Sequence, residues 1–236
     1  MENLFANIAQ VKERLAAAAR RAGRNPAGVT LIAVSKTNPA EVVQAAVAGG
    51  LMEFGENRIE EAAPKMKAVG DPSLHWHMIG HVQSRKAREA IEAGFALVHS
   101  VDSFKLAERL NRFAGELGRV QPILLECNVS GEAVKSGFSA HDPAGWEKLL
   151  PEFGLITELP HLRVRGLMTM APVVSMPEAA RPFFARLREL RAYLRGHLPQ
   201  ADWRELSMGM TDDFEAGIAE GATLVRIGRA IFGERQ

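Results

Sequence analysis

The feature of this chain that most constrains its fold is a regular alternation of short apolar strands with amphipathic helices. A helical pattern from about residue 2 to 22 comes first. Eight short apolar segments predict strands at 29–35, 52–55, 74–79, 97–101, 121–128, 164–168, 205–208 and 223–227. Helical patterns lie between most of them, at 39–48, 56–69, 82–93, 103–117, 146–158 and 177–198. This alternation predicts a parallel sheet covered by helices.

Such a sheet either stays open and doubly wound or closes into a barrel. The strand count and the length of 236 residues favour a barrel, for which about 250 residues are typical. The first strand also leads into Ser35, Lys36 and Thr37 instead of a glycine-rich dinucleotide fingerprint. We therefore predict an α/β fold, a single (β/α)8 TIM-type barrel domain over 1–236. We expect its extra N-terminal helix to cover the bottom of the barrel.

Composition excludes several classes of function. Lysine and arginine total 29 against 28 acidic residues, a net charge of +1 that provides no general field for a nucleic acid. The one cysteine, Cys127, cannot form an internal disulfide. No apolar segment is long enough to cross a bilayer, and the charged first residues do not resemble a secretory signal. We expect a cytoplasmic monomer without nucleic-acid or membrane partners.

The ends of the predicted strands carry the candidate chemistry, because barrel active sites lie at the C-terminal ends of the strands. Lys36 follows the first strand and shares the strand face of Ile32 and Val34. Inside the barrel mouth its amine would be partly desolvated and able to form a Schiff base with a carbonyl. The alternative is a lysine that extends to the rim and has no function.

A phosphate site is predicted opposite Lys36, since barrels commonly bind phosphate with the loops after strands seven and eight. The seventh strand leads into Ser207, Gly209 and Thr211, and the eighth into Gly228. A Schiff-base lysine facing a phosphate site suits pyridoxal 5'-phosphate (PLP) or a sugar-phosphate lyase of the aldolase type. Arg226 favours PLP, because it could place a cation near the ring nitrogen.

Seven segments together resemble the pyridoxal phosphate homeostasis protein family, whose barrel is similar to the N-terminal domain of alanine racemase. They are 33–36 (AVSK), 54–57 (FGEN), 76–83 (WHMIGHVQ), 135–138 (KSGF), 165–168 (RGLM), 206–214 (LSMGMTDDF) and 225–228 (VRIG). Each segment is weak alone, but the set runs in family order over nearly the whole chain.

The resemblance implies a cofactor site for PLP, with Lys36 carrying the Schiff base. The residues it places around the phosphate are Ser207, Gly209, Thr211, Gly228 and Arg229. Arg226 corresponds to the arginine that faces the pyridine nitrogen in the similar racemase barrel. Three further strand-end positions line the implied pocket: Asn57, His81 and Met168. Departures from the family pattern, such as Arg85, fall in loops.

The implied function is intracellular PLP (vitamin B6) homeostasis, in which the protein holds PLP and delivers or buffers it, with PLP-dependent apo-enzymes as transient partners. The alternative is a PLP-dependent racemase or decarboxylase of the same fold type. An arginine at the ring nitrogen disfavours protonation of the ring and so weakens it as an electron sink. Turnover would also need a base at the site. The one tyrosine, Tyr193, falls on an outer helix, and neither Cys127 nor His81 has an evident partner in the sequence that would orient it as a base. We expect no dedicated turnover and no catalytic residue, although a protein that only senses PLP has the same sequence features.

Two other interpretations are weaker. His75 and His77 share a strand face and could bind zinc, but Arg226 at the end of the last strand would repel a metal, so we predict none. The arginines of 181–195 could form a partner surface. They lie opposite an apolar stripe, which is the usual pattern of an outer barrel helix.

Overall fold

Strands and helices alternate throughout residues 2–234, the part of the chain that the computed structural model describes. The strands are β1 (Thr30–Val34), β2 (Glu53–Glu56), β3 (His75–Met78), β4 (Leu97–Val101), β5 (Gln121–Asn128), β6 (Phe138–Ser139), β7 (Leu162–Met168), β8 (Glu205–Ser207) and β9 (Leu224–Ile227). The helices are α1 (Glu2–Arg21), α2 (Ala40–Ala48), α3 (Ile59–Val69), α4 (Ala87–Ala93), α5 (Phe104–Glu116), α6 (Leu150–Thr157), α7 (Arg181–His197), α8 (Phe214–Ala219) and α9 (Arg229–Phe232).

Eight of the strands described within 2–234 form a closed parallel barrel. The hydrogen-bonded order is β4-β3-β2-β1-β9-β8-β7-β5, and the pairing of β4 with β5 closes the ring. All of these pairings are parallel. The predicted TIM-type barrel is confirmed. The two-residue β6, which pairs with β5, was not predicted, because so short a segment shows no periodicity.

Two apolar layers pack against the strands of the barrel, a small one inside it and a larger one between the strands and the helices. The inner layer, which we call the interior cluster, consists of Ile32, Leu97, Leu124, Met168 and Leu224. The outer layer packs the other faces of the strands against the helices. Every second residue of a strand points inward, so this small cluster identifies the face of each strand that reaches the barrel mouth.

Helix α1 lies on the outside of the barrel, which corrects the expectation that it covers the bottom. It packs against α2, α8 and α9. Asn7 donates a hydrogen bond to the carbonyl of Ile231, and Lys12 donates one to the carbonyl of Gly50. These contacts hold α1 beside the helices around β1 and β9, and the N-terminal opening of the barrel is lined by other residues.

Helix α7 has the apolar stripe that its sequence predicted. Its apolar stripe, which includes Phe184 and Leu187, is fully buried. Arg181 and Arg188 flank this stripe, and both pair with Glu220, a carboxylate that is itself buried. Two of the arginines of α7 therefore form ion pairs within the fold. No helix among the described residues is long and apolar enough to cross a membrane.

Replacement of Leu124 by alanine should destabilise the barrel strongly, because its side chain is fully buried in the interior cluster. We expect a loss of about 2–5 kcal/mol in the free energy of unfolding, measured by urea denaturation. Leu155→Ala on α6 is the matched control, since that leucine is 53% exposed. Equal losses in the two variants would contradict the assignment of Leu124 to the core.

Candidate cofactor site

Lys36 lies at the C-terminal end of the barrel, two residues beyond β1. Ile32 of the same strand belongs to the interior cluster and is fully buried, whereas Lys36 is half-buried. The chain turns immediately afterwards, and Thr37 has a φ of 67°, which is unusual for a residue other than glycine. The predicted position of Lys36 at the barrel mouth is thus what the structure has.

A buried lysine, Lys65 of α3, lies beneath this turn. Its Nζ donates to Glu56 Oε1 at 2.7 Å, to Glu61 Oε1 at 2.9 Å and to the carbonyl oxygen of Ser35 at 2.9 Å. Burial raises the pKa of Glu56, although hydrogen bonds from Lys65 and Ser35 oppose the rise. Burial is the largest effect on Glu61 and acts to raise its pKa, but the hydrogen bonds from Lys65 and Thr37 and the charges of Lys65 and Arg58 together outweigh it, so the net shift is downward.

The same carboxylates hold the backbone on both sides of Lys36. Glu56 accepts a hydrogen bond from Ser35 Oγ at 2.7 Å, and Glu61 accepts one from the backbone N–H of Thr37. We call Glu56, Glu61 and Lys65 the lysine-loop clamp. It fixes the residues before and after Lys36, which determines where the Lys36 side chain begins.

Replacement of Lys65 by methionine should destabilise the protein, because Glu56 would keep a buried carboxylate without its cation. Breaking a buried pair by removing one partner typically costs about 3–5 kcal/mol. The free energy of unfolding at pH 8, measured with urea, tests this. Lys67→Met is the control, since Lys67 is exposed on the same helix. A Lys65→Met protein as stable as the control would contradict the clamp.

Arg226 is buried on β9, the strand that pairs with β1. It stands opposite Ile32 in that pairing. Its guanidinium donates to Ser207 Oγ at 2.5 Å and to the carbonyl of Thr169 at 2.9 Å. Burial lowers the pKa of Arg226 to about 10, which leaves it a cation at neutral pH. The barrel therefore holds a permanent positive charge beside the strand that leads to Lys36.

The loop after β8 makes a tight turn at Gly209. Its φ is 96°, and a Cβ there would lie 2.9 Å from the Cα of Phe214, so only glycine fits. The carbonyl of Gly209 accepts a hydrogen bond from the backbone N–H of Arg226 at 3.0 Å. The turn continues through half-buried Thr211, and Asp213 accepts a bond from the N–H of Met210 at 2.6 Å.

The loop after β9 approaches the end of β1. A Cβ on Gly228 would lie 3.2 Å from the carbonyl oxygen of Val34, so the backbone of Gly228 passes close to the strand that carries Lys36. Arg229 follows at the start of α9, is partly exposed and pairs with Asp212 at 2.5 Å. Lys36, Arg226 and the two glycine turns thus lie on adjacent elements at one end of the barrel.

The remaining predicted site residues take different positions. Asn57 and His81 line a cavity of about 550 Å³ at the ends of β2 and β3. Gly80 is required there, since a Cβ would lie 2.2 Å from the carbonyl oxygen of Asn57. Met168 is buried in the interior cluster. The Ser207 hydroxyl is directed at Arg226, and its predicted phosphate contact stays a prediction.

Sequence reasoning missed three groups at this end of the barrel. The lysine-loop clamp is one. The second is Asp102, whose Oδ2 lies 3.1 Å from Nδ1 of His81 and gives that histidine the partner it lacks in the sequence pattern. The third is Glu126, which shares a strand face with Leu124 of the interior cluster. An acidic residue on an inward strand face was the signal for Glu126.

The two candidate bases named from the sequence now differ clearly. Cys127 is fully buried, and burial raises the pKa of its thiol, so it is not a reactive thiolate. His81 is half-exposed at the rim and oriented by Asp102. Among the described residues, no group of three or more His, Cys, Asp and Glu side chains is placed to hold a metal ion. His75 and His77 both contact Glu53.

Glu126 should make stability depend on pH. Burial raises the pKa of Glu126 from 4.5 to about 7, and the charge of Asp102 adds to this. The folded protein therefore holds this proton more tightly than the unfolded chain, so the stability contributed by Glu126 is lost as pH rises from about 4.5 through 7. The free energy of unfolding of Glu126→Gln, measured by urea denaturation relative to wild type, should rise by up to about 3 kcal/mol between pH 4.5 and pH 8.

The exposed Glu108 of α5 supplies the control for that measurement. Glu108→Gln should show no such change in the difference from wild type over the same pH range. If Glu126→Gln tracks wild type at every pH, the carboxyl titrates in the folded protein as it does in the unfolded chain.

Comparison with known proteins places this chain and its fold in a family. Residues 6–236 match the family model of the alanine racemase N-terminal domain. A pyridoxal phosphate homeostasis protein of Pseudomonas aeruginosa is 47% identical over 240 residues, covering 100% of this chain and 97% of that protein. The homologue of Aquifex aeolicus with the same name is 41% identical, covering 99% of both chains. The chain belongs to the pyridoxal phosphate homeostasis protein family.

A solved structure supports the same placement. PipY of Synechococcus elongatus, determined with PLP bound, is 41% identical and superimposes with a TM-score of 0.80. The match covers 94% of this chain and 100% of PipY. The described barrel is therefore the barrel of this family.

Proposed function

We propose that this protein binds PLP at the C-terminal end of its barrel and acts in PLP homeostasis, holding the cofactor and delivering or buffering it. The observation that carries the proposal is the placement of Lys36. The clamp fixes the turn that presents it, on the strand that pairs with the strand of the buried cation Arg226. The names of the relatives and the PLP bound to PipY support the same ligand.

The residues present fit PLP chemically. PLP brings an aldehyde that condenses with an amine, a phosphate dianion and an aromatic ring nitrogen. Lys36 supplies the amine, and Arg226 supplies a donor for the ring nitrogen. The close-packed turns at Gly209 and Gly228 bring backbone next to the mouth, as a phosphate site requires. Thr211 and Arg229 complete the proposed phosphate contacts, whereas the buried Ser207 hydroxyl contacts Arg226 and His99. Asn57, His81 and Met168 complete the proposed pocket.

Holding PLP fits the site better than turnover of an amino acid does. The single tyrosine, Tyr193, lies on the outer helix α7, where its ring stacks on His197 at 4.0 Å. Cys127 is buried with a raised pKa. The oriented His81 is the one base candidate from the sequence that the barrel mouth retains, and it is the residue to replace if amino-acid turnover is ever observed.

Lys36→Ala should abolish covalent binding of PLP, because no other amine is held in that turn by the clamp. Wild-type protein incubated with PLP should develop the visible absorbance band of lysine-bound PLP, and the variant should not. Borohydride reduction followed by peptide mass spectrometry should place the adduct on Lys36. Lys105→Ala, at an exposed lysine of α5, is the control and should behave as wild type. A colourless wild-type protein would refute PLP binding.

Delivery, sensing and catalysis are separated by two further measurements on the loaded protein. Mixing the PLP-loaded protein with a PLP-dependent apo-enzyme should activate that enzyme faster than the same concentration of free PLP does. Activation no faster than from free PLP would favour a sensing role. Racemase or decarboxylase activity above the background of free PLP would overturn the preference for a carrier. The expected cytoplasmic location and monomeric state stay predictions.

A further inference from the structure

A line of hydrogen-bonded side chains crosses the inside of the barrel beneath the cofactor site. We call it the interior chain, and its members in order are Glu53, His77, His99, Ser207 and Arg226. Glu53 Oε2 lies 2.8 Å from His77 Nε2, and His77 Nδ1 lies 2.9 Å from His99 Nε2. His99 Nδ1 lies 2.8 Å from Ser207 Oγ, which accepts from Arg226 at 2.5 Å. Four consecutive hydrogen bonds thus join a carboxylate to a guanidinium.

One direction of donation, from the guanidinium to the carboxylate, satisfies every contact in this chain with both histidine rings neutral. Arg226 can only donate, so Ser207 Oγ accepts its hydrogen bond and points its own proton at His99 Nδ1. His99 then carries its proton on Nε2 and donates to His77 Nδ1. His77 in turn donates from Nε2 to the carboxylate of Glu53. In the opposite direction His77 would need protons on both nitrogens, one for His99 and one for the Glu53 carboxylate, so the neutral chain has both histidines as Nε2–H tautomers.

The middle of the chain is closed to solvent. His99 and Ser207 have no exposed surface, and Arg226 is 4% exposed. Burial, together with the nearby His77 and Arg226, lowers the pKa of His99 well below its usual value, in keeping with a neutral ring. A buried polar side chain without partners would be costly, and here each member has a partner on both sides.

The chain reaches solvent at the N-terminal end of the barrel. Glu53 and His77 line a cavity of about 320 Å³ there, together with the exposed His75. Glu53 also contacts His75, with Oε1 and Nδ1 2.8 Å apart. Burial acts to raise the pKa of Glu53, but its bonds with His77 and His75 lower it overall, so it is a carboxylate at neutral pH. The interior chain therefore links an anion at one end of the barrel to the cation at the other.

We propose that His99 and His77 are positioning residues that hold the guanidinium of Arg226 through Ser207 and so set how the ring of PLP is held. The proposal rests on the proposed function. Arg226 is fixed at two points, Ser207 Oγ and the carbonyl of Thr169. A serine hydroxyl rotates freely unless its proton has an acceptor. His99 supplies that acceptor, and His77 fixes the tautomer that makes His99 one.

The interior chain orients Arg226 and does not conduct protons to it. A proton relay needs a terminal group that can both gain and lose a proton near neutral pH. The guanidinium of Arg226 has five N–H donors and no acceptor, and it stays charged at neutral pH. The carboxylate of Glu53 is therefore coupled to the cofactor end through orientation and charge alone.

The test compares His99→Leu with wild type in the full chain, with PLP as the probe. The readouts are the dissociation constant of PLP and the pH midpoint of the visible band of lysine-bound PLP. By analogy with residues that orient metal ligands, we expect PLP affinity to fall about tenfold, and the midpoint to shift. His77→Leu breaks the chain one bond further away and should shift both readouts in the same direction. His75→Gln, which contacts Glu53 off the chain, should leave both unchanged.

A double-mutant cycle separates positioning of Arg226 from a general structural effect. In an Arg226→Lys background the guanidinium is absent, so His99→Leu should change neither readout further. Folded His99→Leu protein with wild-type affinity and midpoint would overturn the proposal. Equal effects of His99→Leu in both backgrounds would also overturn it.

A measurement without PLP keeps the outcome distinct from that of the proposed function. The ¹⁵N chemical shifts of the cofactor-free protein should show His77 and His99 as neutral Nε2–H tautomers at pH 7.5. Protonated rings or Nδ1–H tautomers would refute the interior chain whether or not the protein binds PLP. Failure of Lys36 to react with PLP, with both tautomers as expected, would refute the proposed function and leave the chain's geometry intact.

Discussion

The burial of a guanidinium inside the barrel is the constraint on which the cofactor end of this structure depends. A charged group removed from water is tolerated only when protein acceptors replace its hydration. Arg226 takes one acceptor from Ser207 and another from Thr169, two residues that end or follow neighbouring strands. Closure of the barrel brings those strand ends together, so the fold supplies the acceptors that the buried cation requires. The polar groups further inside follow from the same need.

A second lysine explains why the first can present its amine at the mouth. Lys65 is surrounded by two carboxylates and a carbonyl oxygen, and these contacts hold it as a buried cation. Those same acceptors bind the residues on either side of Lys36. An ion cluster on α3 and β2 therefore holds the backbone on both sides of Lys36.

Much of the fold and part of the site could be predicted from the sequence, because strand alternation carries information about faces. The inward positions just before Lys36 and Arg226 are the apolar Ile32 and Val34 on β1 and Leu224 on β9, so a polar residue at the end of each apolar pattern identifies the mouth. The phosphate assignments for Thr211 and Arg229 came from family resemblance. They could not come from periodicity, since loops have none.

The parts that were missed depend on contacts between distant residues. Lys65 and Glu61 are four residues apart, a spacing typical of surface ion pairs, and only the packing of α3 on β2 reveals that Lys65 is buried. His99 lies in a short apolar strand, and its partners are 22 and 108 residues away. Asp102 follows the same strand, yet its contact with His81 depends on the β3–β4 pairing. Each becomes visible only once the barrel is closed.

The direction of the hydrogen bonds around Arg226 argues for retention of PLP over turnover. Every bond that Arg226 makes is a donation, so a ring nitrogen facing it must accept and stay unprotonated. An unprotonated pyridine is a weak electron sink, and reactions that place negative charge on the ring are disfavoured. A mobile arginine could turn aside and relax this restriction. The interior chain and the carbonyl of Thr169 hold Arg226 in place, so with PLP placed as proposed the barrel would also limit the reactivity of the cofactor.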